Sequence, residues 1–100
     1  MRVQFIQSGG VLGTVKGCEL DTAALPADAA DELRRLVAGS GLTASAETLS
    51  AAGRDLQQYE ITIEDGKRKV SVVLDNTTVP PAARALVGYL KKCARPRPLD

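Results

Sequence analysis

Residues 57–74 constrain the fold more than any other stretch of this chain. Tyr59, Ile61 and Ile63 alternate with Gln58, Glu60, Thr62 and Glu64, the period of two that marks a strand with one buried face. Asp65-Gly66 follows at once and can supply the two positive-φ positions of a type I′ turn, after which Val70, Val72 and Leu74 resume the alternation. A two-residue loop at that dipeptide sets Glu64 opposite Lys67, Thr62 opposite Lys69, Ile61 opposite Val70 and Tyr59 opposite Val72. Apolar then meets apolar and Glu meets Lys. A slip by one residue would turn the apolar row to water. The hairpin therefore offers a face on which the other elements must pack, and function falls to the loops at its open end.

One hundred residues predict one domain spanning 1–100. Hydrophobic residues make up 44% with only three aromatics, so the core has to come from Val, Leu, Ile and Ala. Thirteen basic against twelve acidic residues leave a net charge of +1, which argues against a phosphate-tracking surface and so against a nucleic-acid partner. The chain has no histidine. That removes the commonest general base, the usual activator of a nucleophilic Ser or Cys and the commonest metal ligand, so most hydrolase mechanisms are hard to write and no enzyme is expected. Cys18 and Cys93 are too few for a disulfide scaffold or a four-thiolate zinc site, and a single bridge between them stays open. Neither a metal nor another cofactor is expected. The opening residues enter strand pattern with no apolar run long enough for a signal peptide or a membrane span, so a soluble, cytoplasmic protein without membrane contact is the expectation.

Val3 and Phe5 alternate with Gln4 as a first strand, with Ile6 on its opposite face. Ser8-Gly9-Gly10-Val11-Leu12-Gly13 comes next. Its three glycines free the backbone, yet two large aliphatic side chains sit where a solvent loop is normally polar. Either Val11 and Leu12 fold back onto the core, or they form an exposed apolar tip, which marks a binding surface. Residues 14–20 return as a second strand with Cys18 and Leu20 on one face, where Cys18 reads as a small core residue and Gly17 as a candidate bulge. Pro26 opens a helix whose buried stripe is Ala29, Ala30, Leu33, Leu36 and Val37, with Gly39 as its C-terminal cap. Residues 39–57 are rich in Gly, Ser, Ala and Thr, and a connection this long should hide a short strand or a turn of helix. Past the hairpin, turn residues 75–80 lead into a second helix with Ala83, Leu86, Val87, Leu90, Cys93 and Ala94 as its stripe, running until Pro96. Lys91, Lys92, Arg95 and Arg97 form a basic end that complements the helix dipole.

The order strand, strand, helix, strand, strand, helix gives an α+β fold: a four-stranded, mainly antiparallel sheet of two hairpins with both helices on one face. If the first strand runs up, the 8–13 turn lies at the top, the third strand starts there and the fourth ends there at Asp75. The Gly-rich loop and the 75–80 loop would then share one rim, where a small binding protein places its contacts.

At this point the ordered motifs resemble the emfourin family of bacterial protein inhibitors of protealysin, a thermolysin-like zinc metalloprotease. The resemblance rests on Val3-x-Phe5-x-x-Ser8-Gly9-Gly10 with an aliphatic and Gly13 after it, Leu20-Asp21-Thr22, the Pro26 helix with Leu33, Tyr59-Glu60-Ile61-Thr62, Asp65-Gly66, and Val79-Pro80 ahead of Leu86 and Leu90. It covers the chain except about residues 40–56 and departs at the alanine-rich middle and at Gly17-Cys18. The resemblance implies a reversible inhibitor, monomeric when free, that inserts 8–13 into the protease cleft. Thermolysin-like proteases generally prefer a bulky aliphatic or aromatic residue just after the scissile bond, which makes Val11 or Leu12 the side chain for that pocket. Ser8, Gly9, Gly10, Val11, Leu12 and Gly13 are thus the first candidate contacts, with Asn76, Thr77 and Thr78 bracing the neighbouring rim. The zinc would belong to the protease. A generic adaptor or assembly module working through a hairpin edge or helix face is the alternative. A small carboxylate enzyme using Asp75 and Glu60 is disfavoured, since local spacing fixes no pair of acids together.

Overall fold

The computed structural model describes residues 1–9, 15–49 and 57–96. In chain order these form β1 (Arg2–Gly9), β2 (Lys16–Asp21), α1 (Ala27–Gly39), β3 (Ala46–Thr48), β4 (Gln57–Asp65), β5 (Arg68–Asp75), a single 3-10 turn (Pro81–Ala83), α2 (Arg84–Cys93) and β6 (Arg95–Pro96). The fold is α+β, but the sheet is mixed and has six strands in the order β3-β5-β4-β1-β2-β6, not the expected four. The four expected strands are its antiparallel centre. β3 adds to β5 in parallel and β6 adds to β2 antiparallel.

Alternation along each central strand decides what is buried. Val3 and Phe5 on β1, Tyr59, Ile61 and Ile63 on β4, and Val70, Val72 and Leu74 on β5 join Leu33 of α1 and Leu86, Val87 and Leu90 of α2 in one cluster. Both helices therefore cover the same face. The opposite face carries Gln4, Ile6, Thr62 and Ser71, all half-buried, with Arg2 placed between Glu19 at 3.4 Å and Glu64 at 3.6 Å. These exposed pairs contribute little to stability.

The β4–β5 hairpin keeps its predicted faces but not its predicted register. Asp65 pairs with Arg68, Glu64 with Lys69, Ile63 with Val70, Ile61 with Val72 and Tyr59 with Leu74. The turn is centred on Gly66-Lys67, and Gly66 alone takes a positive φ, of 62°, the pattern of a type II′ turn with Gly at its first central position. Because each partner moves by two residues, the apolar row still meets the apolar row.

Three further expectations shift. Gly17 pairs opposite Ile6 in an unbroken register, so it marks no bulge. Gly39 is the last helical residue of α1 and Ser40 is the cap. The positive φ of 73° falls at Gly41. Ser40 is buried, and its Oγ donates to the Val37 carbonyl at 2.6 Å and accepts the Leu42 N–H at 3.3 Å. Finally, α2 stops at Cys93 and Ala94 is extended. Arg95 precedes a proline, which disfavours helical backbone, and Arg95 and Pro96 pair instead with Gly17 and Lys16.

Candidate functional site

Three chain segments meet at one end of the sheet. Gly9, at the end of β1, pairs with Gln57, at the start of β4. Asp75, at the end of β5, pairs with Gln58. The Gln57 carbonyl also accepts the Asn76 N–H at 3.1 Å. Asn76 and Gly9 are thus both joined to Gln57. Of the residues singled out in the sequence, Ser8 lies opposite Gln58 and Gly9 opposite Gln57, where Gly9 has a φ of 88° that a side chain would disfavour. Gly10, Val11, Leu12 and Gly13 lie outside the described residues.

The turn after β5 is held from within. Asp75 is fully buried, and its Oδ1 accepts the Thr77 backbone N–H at 2.8 Å and the Thr77 hydroxyl at 2.6 Å. Thr78 Oγ1 accepts the Asp75 N–H at 2.9 Å and donates to the Thr48 carbonyl at 2.7 Å. Asp75 and Thr78 therefore shape the rim, while Asn76 and Thr77 are its exposed residues. Asp75 Oδ1 is engaged with its own turn, and Glu60 is exposed on β4 opposite Ile6 and Val73.

Beside this rim an open groove of about 380 Å³ runs between α2 and the start of β4. Gln57, Tyr59, Asn76, Arg84, Val87 and Lys91 are among the residues lining it. Tyr59 stacks on Phe5 at 5.9 Å between ring centroids, and Lys91 Nζ sits 5.5 Å from the Tyr59 ring centroid. The sequence reading treated Lys91 as a dipole complement and passed over Arg84. The available signal was their spacing of seven, two turns on one side of α2 and outside its apolar stripe.

Cys18 and Cys93 are half-buried and not joined in a disulfide, and the Cys18 thiol lies 3.8 Å from the Leu90 carbonyl oxygen. Partial burial raises the Tyr89 pKa above its ordinary value, with Cys93, Glu32 and Cys18 adding to the shift. Among the described residues no three Cys, Asp or Glu side chains gather as a metal site would require, and no helix is long and apolar enough to cross a membrane.

A family model described as Emfourin matches residues 5–91. No curated protein and no solved structure gives a significant match to this chain.

Proposed function

The chain belongs to the emfourin family, a family of protease-inhibitor-type domains, and on that premise we propose that it reversibly inhibits a thermolysin-like zinc metalloprotease of the protealysin kind. Segment 8–13 enters the active-site cleft with Val11 or Leu12 in the hydrophobic pocket. Its backbone groups bond along the cleft edge as an added strand would. Asn76, Thr77 and Thr78 brace the adjoining rim, and the zinc is the protease's own. The protein acts by binding, as a monomer when free.

The observation that carries this reading is the junction at Gln57. A rigid antiparallel ladder delivers the chain to Gly9, at the rim, immediately before a segment that is apolar at its centre. A wedge needs such a support, because anchoring one end of a segment leaves less conformational freedom to be lost on binding. The test is inhibition of a panel of thermolysin-like proteases by the purified protein, assayed with a short peptide substrate across inhibitor concentration and preincubation time. Inhibition with the chain left uncleaved is expected. Full protease activity throughout the panel would overturn the proposal.

A further inference from the structure

Helix α2 carries a cation that its own helix does not explain. Lys91 and Lys92 lie in the last turn, where the dipole favours positive charge. Arg84 is the first residue of α2, where the same dipole disfavours it. It is exposed, and none of the ion pairs among the described residues includes it. Arg84 and Lys91 both line the groove beside the rim, and among the described residues no Asp or Glu lines it. Residues 80–99 contain Arg84, Lys91, Lys92, Arg95 and Arg97 and no acidic residue. The groove thus has two cations on its helical wall, with the buried Tyr59 and Val87 also in its lining.

We infer that this groove is a second contact surface, taking an extended acidic segment of the partner protease beside its cleft. The inference rests on the inhibitor reading. Seven helical residues set the Arg84 and Lys91 backbones about 10 Å apart. Two carboxylates two residues apart on an extended strand share a face and lie about 7 Å apart, a spacing that the long Arg84 and Lys91 side chains can converge on. Lys91 is already held over the Tyr59 ring, so less side-chain freedom is lost when a carboxylate arrives. Gln57 joins the two surfaces: its backbone pairs with Gly9, and it also lines the groove. A partner held by the Gly-rich segment would therefore have its cleft border facing these cations.

The test compares association rates of the unaltered protein, Arg84→Gln/Lys91→Gln and the control Arg34→Gln/Arg35→Gln with a protease of the panel that the unaltered protein inhibits, at ionic strengths from about 0.02 M to 0.5 M. The control removes the same charge from α1, away from the groove. The groove pair should slow association about ten-fold at low salt and flatten its salt dependence, with the control near the unaltered rate. If the double variant does not fold, Arg84→Gln alone carries the test, with a smaller loss of the same kind expected. Unaltered rates and salt slope in the groove variant, with inhibition intact, would overturn the groove and leave the inhibitor reading standing. A protein that inhibits no protease of the panel would overturn both.

Discussion

Asp75 Oδ1 accepts two hydrogen bonds from Thr77, one from its backbone N–H at 2.8 Å and one from its hydroxyl at 2.6 Å. A fully buried carboxylate is here spent on folding the turn that follows β5. Asp75→Ala removes that acceptor and leaves donors without it, which should cost about 1–3 kcal/mol in urea unfolding. Asp75→Asn keeps a side-chain oxygen at the same position and should lose less. Equal losses in the two variants would show that these bonds are not what holds the turn.

Thr78 links that turn to the sheet edge. Its hydroxyl accepts from Asp75 and donates to Thr48 on β3, a strand whose three residues are all exposed. Thr78→Val keeps the shape and removes both bonds, for an expected loss of about 1–2 kcal/mol. Amide exchange should speed up at Ala46, Glu47 and Thr48 before it does so at Ile61 or Val72. Uniform acceleration across the sheet would contradict a local role.

Two glycines should respond in opposite directions. A Cβ at Gly66 or at Gly88 meets nothing within 4 Å, so backbone conformation alone sets the outcome. Gly66 has a φ of 62° at the hairpin turn, and Gly66→Ala should destabilise by about 1–2 kcal/mol. Gly88 lies inside α2, and Gly88→Ala should stabilise by about 0.5–1 kcal/mol. Thermal unfolding of both variants reads the two signs directly.

Leu90 is fully buried beneath α2 in the shared cluster. Leu90→Ala should cost about 2–5 kcal/mol, a large fraction of the about 5–15 kcal/mol typical of such a domain. Leu49 is exposed at 37%, and Leu49→Ala should change stability by less than about 0.5 kcal/mol. Urea midpoints for the pair would separate core from surface.

The sequence made legible the elements whose apolar spacing repeats. β4 and β5 could be read because Tyr59, Ile61, Ile63, Val70, Val72 and Leu74 keep a period of two, and α2 because Leu86, Val87 and Leu90 keep a helical one. The hairpin register was harder, since Asp65-Gly66 and Gly66-Lys67 both offer a two-residue turn and both bring the apolar rows together. Strands β3 and β6 have three and two residues, all exposed, and so carry no periodic signal. Their positions follow from partners distant in the chain, Val72 to Leu74 for β3 and Lys16 to Gly17 for β6. The meeting of the β1 end with the 75–80 turn was legible from strand order alone. The groove was not, because it needs α2 laid beside Gln57 and Tyr59, a tertiary relation that helical spacing only hints at.

Val11 and Leu12 separate the inhibitor reading from a purely structural role. If one of them fills a desolvated pocket on the protease, Val11→Ser/Leu12→Ser should weaken inhibition by about 2–3 kcal/mol. The urea midpoint should then stay near that of the unaltered protein. A fall in stability matching the fall in inhibition would instead return both residues to the core. Intact inhibition and intact stability together would move the binding surface away from 8–13 and onto another part of the molecule.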